Sequence, residues 1–377
     1  MIPVCEPVIG AREHEYVSEC LRSGWVSSAG EYIERFEEAW ADRCGMAHGI
    51  AVSNGTTALQ LAVADLELEA GDEVILPTFT IISCALAVLR CHGVPILVDS
   101  DPATWCMDVD AVSDVIGPRT RAIMAVHIYG HPVDMDPLRD LADSHGLALI
   151  EDAAEAHGAQ YRSGRDSEDA AWATCGGLGD VSTFSFYANK LVTTGEGGMV
   201  LTDDARASDR LRALRNLCFG HKQRFRHEKA GYNYRLTNVQ AAMGLAQVER
   251  FDEIVAAKRR IGLAYVERLR DNPHIELQLE APWAQSVFWM NGFVLAESAG
   301  MDADEMSSRL LAESIQTRPF FLGMHEQPVF RDLGLFDEQR FPIAQRLSRS
   351  GLYLPSGIGL TEAQIDYICA TVQGILP

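Results

Sequence analysis

Short apolar runs alternate with helix-like stretches along the first half of this 377-residue chain. That alternation restricts the possible folds more than any other feature. Ile50–Ser53, Glu73–Leu76, Pro95–Val98, Ala122–Val126, Ala148–Glu151 and Val181–Phe184 read as strands. Thr56–Leu66, Ile81–Cys91 and Met135–His145 lie between them with helical spacing. Strand followed by helix followed by strand predicts an α/β domain on a mostly parallel sheet. Such sheets collect ligands at the carboxyl ends of their strands. The polar residues that follow the runs are therefore the informative ones: Asn54–Thr56, Thr78–Thr80, His127, Asp152 and Ser185.

The pattern changes after Gly198. Asp203–Asn216 and Thr237–Asp271 read as helices, the second as one long helix leading into a smaller α+β unit. That unit has a strand near Phe288–Leu295 and helices near Ala303–Ser314 and Thr361–Leu376. The expected division is a large α/β domain over residues 1–250 and a small α+β domain over 251–377. Arg162–Gly179, with Asp166–Asp169, reads as a polar, exposed loop. No internal repeat interrupts this plan.

The formal net charge is −21, and no basic cluster marks a nucleic-acid surface. The one mild basic patch, Arg215–Lys229, suits either a phosphorylated ligand or a solvated loop. Nine cysteines are scattered singly, without a C-x-x-C pair or the Cys/His spacing of a zinc site. They read as small buried apolar groups in a reducing compartment. No run of eighteen apolar residues suggests a membrane span, and the first residues lack the pattern of a secretion signal. A cytoplasmic protein without bound metal is expected.

Lys190 sits between an apolar run and the glycine-rich turn Gly195–Gly198. Desolvation there would lower its pKa and free the amine as a nucleophile. Such an amine can form a Schiff base with an aldehyde such as pyridoxal phosphate. Asp152 ends a strand, where a buried carboxylate needs a partner. A protonated pyridine nitrogen would serve, and a plain helix cap is the alternative. Glu155 follows at i+3 and can share a face with Asp152. Ser53–Ala58 joins a strand to a helix, as either a phosphate cradle at Gly55, Thr56 and Thr57 or an ordinary N-cap. Ser185 could donate to phosphate. His157 and Phe79 could face a ligand, but packed positions suit both equally well or better. Gly231–Asn238 is polar and aromatic, as at an interface or a site.

Together these segments carry a resemblance. Asn54–Leu59, Gly71–Thr80, His127–Gly130, Glu151–Gly158, Ser185–Gly198 and Tyr232–Asn238 resemble the corresponding motifs of the pyridoxal-phosphate-dependent nucleotide-sugar aminotransferases. These belong to the fold-type I, aspartate aminotransferase-like superfamily. The likeness runs to about Glu249 and continues more loosely beyond. Gly24–Ser28, Val287–Met290 and Arg318–Phe321 narrow it to members that aminate C4 of a GDP-linked 4-keto-6-deoxy sugar.

The resemblance implies roles. Lys190 would carry pyridoxal 5′-phosphate as an imine, release it as the pyridoxamine form, and shuttle the proton. Asp152 would pair with the pyridine nitrogen, and Glu155 would lie near the phenolic oxygen or the sugar. Gly55, Thr56, Thr57 and Ser185 would hold the phosphate, completed by Asn233 of a second subunit in a homodimer with shared sites. Phe79 would cover a ring face, and Trp25, His157 and Arg318 would touch the sugar nucleotide. L-glutamate would donate the amino group.

The chain departs from its relatives at Ala188, at Ser286 where histidine is usual, and in a longer 160–179 segment. Lys190 favours amino transfer over the dehydration that a histidine there supports. Other readings are an aminotransferase for a UDP-, dTDP- or ADP-linked keto sugar (heptoses included) or a cyclitol, a non-catalytic relative, and a nucleotide-dependent oxidoreductase. The last lacks its Gly-x-Gly-x-x-Gly after the first strand.

Overall fold

The computed structural model describes residues 1–164, 170–219, 225–227 and 229–377. The chain opens with α1 (Ala11–Ser23) and α2 (Glu31–Cys44), then alternates: β1 (His48–Val52), α3 (Gly55–Ala64), β2 (Glu73–Pro77), α4 (Ser83–Arg90), β3 (Val94–Val98), the short α5 (Val112–Val115), β4 (Thr120–Val126), α6 (Met135–His145) and β5 (Ala148–Asp152). A hairpin of β6 (Gln160–Ser163) and β7 (Ala171–Thr174) follows, then β8 (Val181–Ser185), β9 (Gly198–Thr202) and α7 (Ala205–Arg215). After α8 (Asn238–Val248) and α9 (Phe251–Leu269) come β10 (Ile275–Leu277), β11 (Ala284–Gln285), β12 (Gly292–Leu295), α10 (Ala303–Ala312), β13 (Arg318–Pro319), α11 (Pro328–Asp332), α12 (Pro342–Ser350), β14 (Gly351–Tyr353) and α13 (Glu362–Ile375).

The main sheet has the order β1-β9-β8-β5-β4-β2-β3. β9 is antiparallel to both β1 and β8, and the other pairings are parallel. Central parallel strands are covered on both faces, so they read as continuous apolar runs. Ala122–Val126 of β4 and Leu149–Ile150 of β5 are accordingly buried throughout. The carboxyl ends of β2, β5 and β8 point to one edge of the sheet, where the site lies.

The second unit has a four-stranded antiparallel sheet, β10-β12-β14-β13. Its own core includes Ile261, Tyr265, Phe293, Met306, Leu352 and Ile368. The start of the chain ties this unit to the first. Ile2 N–H donates to Ser314 O at 2.7 Å, and Ser356 N–H donates to Val4 O at 2.7 Å. Val4 N–H donates to Gln316 Oε1 at 3.1 Å, and the Cys5 thiol reaches Asn189 O at 3.7 Å.

Several expectations need correction. The sequence reading places no helix before Thr56, yet α1 and α2 are there. The single helix expected over Thr237–Asp271 is two, α8 and α9. Arg250 leaves helical geometry (φ −115°, ψ 23°), and it and Glu249 bond instead to Val8, Arg12 and Tyr16 in and before α1. The strand expected from Phe288 starts at Gly292, because Phe288 adopts a left-handed turn (φ 50°).

Nor is the 162–179 segment simply an exposed loop. β7 pairs with β6, β6 pairs with β11, and Cys175 and Gly176 are buried. Asp166–Asp169 lies outside the described residues, as does the middle of the basic stretch. At its described ends, Arg215 pairs with Glu37 and Lys229 with Glu67, so these two cations are already neutralised. All nine cysteines are free, seven of them buried. Among the described residues no helix is long and apolar enough to cross a membrane.

Candidate active site

The ends of β5 and β8, the first turn of α3 and the loop after β8 enclose a cavity of about 740 Å³. Gly55, Thr56, Thr57, Asp152, Glu155, Ser185 and Lys190 all line it. Residues spread over more than a hundred positions of sequence thus meet at one sheet edge.

Lys190 comes from the loop between β8 and β9. That loop is closed by Phe186 N–H to Gly197 O at 2.8 Å and Thr194 N–H to Phe186 O at 2.9 Å. Only 9% of the Lys190 side chain is exposed, and Nζ lies 3.7 Å from Glu155 Oε1. Burial lowers the pKa of this amine, while the charges of Glu155 and Asp152 hold it up. Burial also pushes Glu155 up to about 7, against the pull of Lys190. The other Glu155 oxygen accepts the Tyr129 N–H at 2.8 Å. Tyr129 has φ 54°, a left-handed turn that aims this amide at the carboxylate.

Asp152 closes β5 and is 2% exposed. Its oxygens accept from the Ala154 N–H at 3.1 Å and the Cys84 thiol at 3.3 Å. Among the described residues no lysine, arginine or histidine forms an ion pair with it. Burial therefore raises its pKa. A buried carboxylate with weak donors and no direct ion pair is suited to a ligand that brings its own positive charge.

Its neighbour Glu151 is the opposite case. It accepts from His127 Nε2 at 2.8 Å, Leu178 N–H at 2.8 Å, Gly179 N–H at 3.0 Å, Ser182 Oγ at 3.0 Å and the Gly176 N–H. Burial alone would raise its pKa, but these donors hold it below the usual carboxylate range. His127, Glu151 and Cys175 lie close enough to share a metal. Glu151 is already saturated by hydrogen bonds, so the cluster is structural.

At the start of α3 the N-cap reading holds, and the geometry leaves room for the phosphate-cradle reading beside it. Asn54 caps the helix by accepting the Thr57 N–H at 2.9 Å. This leaves the first-turn amides of Gly55 and Thr56 as donors for an anion. Gly55 cannot be replaced without movement, since a Cβ there would lie 2.7 Å from Ser185 Cβ. The donors, the carboxylate and the lysine together fit pyridoxal phosphate.

Four expected site residues do not line the cavity, and Asn233, expected at the site of a second subunit, lies outside that of its own chain. Phe79 does not line the cavity. It is 1% exposed and packs within 6.4 Å of Tyr129, Phe320 and Phe321, while Thr80 and Ile81 take the lining positions in that segment. His157 is core, packed against Trp40, Phe184 and Phe186, and burial pushes its pKa down to about 3. Trp25 is 60% exposed and away from the cavity. Arg318 is exposed and pairs in register with Tyr353, which itself lines the cavity. Asn233 is exposed and outside the cavity of its own chain. Ser286 is buried, with Oγ accepting the Phe288 N–H at 3.0 Å, and does not line the cavity.

The sequence reading assigns no role to Trp289, Phe321 or Tyr353, all of which line the cavity. Trp289 falls within a segment singled out for likeness alone. The aromatic residues beside Arg318 were a second signal.

A model of a protein family, described as the DegT/DnrJ/EryC1/StrS aminotransferase family, matches residues 7–373. A GDP-perosamine synthase of Caulobacter vibrioides is 42% identical over 100% of this chain and 98% of its own length. One from Escherichia coli O157:H7 is 40% identical, covering 99% and 98%. The crystal structure of DesV from S. venezuelae in complex with a ketimine intermediate is 35% identical, with a TM-score of 0.88 over 97% of this chain and 94% of that one.

Proposed function

This chain belongs to the DegT/DnrJ/EryC1/StrS aminotransferase family, and we propose that it moves an amino group from L-glutamate to C4 of a GDP-linked 4-keto-6-deoxy sugar, using pyridoxal phosphate held by Lys190. The observation that carries this reading is the meeting of a desolvated lysine amine and an unpaired buried carboxylate, Asp152, in one cavity beside a helix N-terminus. The GDP-sugar assignment is supported by relatives named GDP-perosamine synthase at 38–42% identity over nearly the whole chain.

When bound, the cofactor supplies the electrophilic aldehyde and the electron sink that amino transfer needs. The residues of the chain supply the rest. Asp152 would keep the pyridine nitrogen protonated. The amides of Gly55 and Thr56, with the hydroxyls of Thr56 and Ser185, would anchor the phosphate. Lys190 Nζ would accept a proton from the carbon being deaminated and return one during amination, work suited to an amine whose pKa is lowered by burial. Glu155 would orient that amine. The aromatic wall of Trp289, Phe321 and Tyr353 would limit water in the site.

The exposed position of Asn233, outside its own cavity, supports its assignment to the site of a second copy. We assign the protein to the cytoplasm, where sugar nucleotides are made and used. A second reading, a dTDP-linked sugar, is supported by the likeness to a dTDP-3-amino-3,4,6-trideoxy-alpha-D-glucose transaminase at 37% identity.

The test has two stages. Borohydride reduction of the purified protein should fix a pyridoxyl group on Lys190, and Lys190→Ala should lose both the adduct and turnover. An adduct on another residue, or none, removes the reading. GDP-, UDP-, dTDP- and ADP-linked 4-keto sugars are then offered with glutamate, and the product is read by mass. Amination of the GDP sugar alone or fastest is expected. Preference for the dTDP sugar establishes the second reading, and inactivity on all four points to a cyclitol.

A further inference from the structure

The face of one indole meets the amine on which the proposed chemistry depends. Lys190 Nζ lies 3.5 Å from the centroid of the Trp289 ring. The ring is 3% exposed and held from several sides. Its Nε1–H donates to Asn189 O at 2.9 Å, tying it to the residue before the lysine. It stacks on Tyr129 with centroids 6.2 Å apart and planes at 24°. Its backbone presses on Gly130, where a Cβ would lie 2.8 Å from Trp289 N. The left-handed Phe288 turns the chain so that Trp289 enters the cavity.

We propose that Trp289 is a positioning residue for Lys190, and that its ring face receives and holds the ε-ammonium whenever that amine is not bonded to the cofactor. This rests on the reading of Lys190 as the cofactor-bearing residue. The reaction requires the amine to be free for part of each cycle. A free ammonium in a cavity can swing toward any carboxylate or water. At 3.7 Å, Glu155 alone fixes its direction loosely. An aromatic face attracts a cation, and more strongly once water is excluded. It also offers no basic atom to take the proton. The amine thus stays between the Trp289 ring and the Glu155 carboxylate.

Other ionisable groups act on the amine from every side. Glu155 and Asp152 come from the end of β5 and the residues after it, and Cys5 from the start of the chain. Lys258 of α9 lines the same small cavity behind Lys190 as Cys5 does. His157 feels the charge of the lysine from the core side. None of these groups changes in the variants below.

The experiment measures the ionisation of Lys190 directly. Full-length protein, freed of pyridoxal phosphate with hydroxylamine and dialysed, is labelled with trace acetic anhydride across a pH series, with and without added pyridoxamine 5′-phosphate. The Lys190 peptide is then quantified by mass spectrometry. Trp289→Met keeps an apolar side chain but removes the ring, and should lower the labelling midpoint of Lys190 by about one pH unit. Trp289→Phe keeps a ring but loses the bond to Asn189, and should retain most of the wild-type midpoint. The midpoint of an exposed lysine serves as internal control, and melting curves verify the fold. An unchanged or raised midpoint in Trp289→Met overturns the proposal. So does a Trp289→Phe that behaves like Trp289→Met, since the Asn189 bond would then be the active element. The labelling without cofactor needs no turnover, so this result and the loss of aminotransferase activity are separate outcomes.

Discussion

Glu155 Oε1 and Lys190 Nζ stand 3.7 Å apart in a buried cavity, and burial drives both toward their neutral forms. The sign of the pH effect follows. A carboxyl whose folded pKa is raised binds its proton more tightly when folded, so its contribution to stability declines as pH rises. The decline runs from the ordinary carboxylate range to about 7. Over that range the melting temperature of the wild type, relative to that of Glu155→Gln, should fall as pH rises. Glu155→Gln should remove that part of the slope. Identical slopes would mean that the carboxyl is not protonated in the folded state.

Glu151 should behave in the reverse manner. Its pKa is held down, so its contribution is present above the unfolded carboxylate range and is lost as pH falls through the folded value. Glu151→Gln places an amide where several donors converge, and should cost about 2–4 kcal/mol. Urea melts at neutral pH measure this. The difference between variant and wild type should shrink on acidification.

Gly55→Ala puts a methyl group 2.7 Å from Ser185 Cβ, where the phosphate of the cofactor would be held. Retention of pyridoxal phosphate should weaken tenfold or more, about 1.4 kcal/mol, as Ser185 and the start of α3 are pushed apart. Equilibrium dialysis gives the constant. Full retention would place the phosphate elsewhere.

Mixing inactive Lys190→Ala subunits with inactive Asn233→Ala subunits tests the shared site. In a two-fold dimer, random exchange makes half the dimers mixed, each with one intact site. Activity should return to about a quarter of wild type. No recovery after verified exchange would assign Asn233 to its own chain or to no site at all.

Much of this was legible in the sequence, for a physical reason. Ala122–Val126 of β4 and Leu149–Ile150 of β5 are covered on both faces and apolar, and Asp152 and Ser185 stand out at the ends of β5 and β8. The Lys190 loop is likewise local, its glycines and lysine within a few positions of one another. What stayed hidden depends on distant pairing. Trp289 bonds to a residue 100 positions away, and nothing local distinguishes it from core. Phe79 and Ile81 are both apolar, and only the path of the chain after β2 shows which one lines the cavity. The break between α8 and α9 is set by bonds to α1, not by a glycine or proline. Glu151 and Asp152 are adjacent acids, and only the tertiary fold gives one five donors, His127 among them, and the other three weaker ones.

The contact between Val4 and Gln316 joins residues 312 positions apart, and Cys5, just beyond it, reaches the carbonyl before Lys190. During synthesis those first residues must therefore wait, unattached, until nearly the whole polypeptide has left the ribosome. The small cavity behind Lys190, which Cys5 lines, is completed only then, so docking of this segment should be among the last steps by which the enzyme matures.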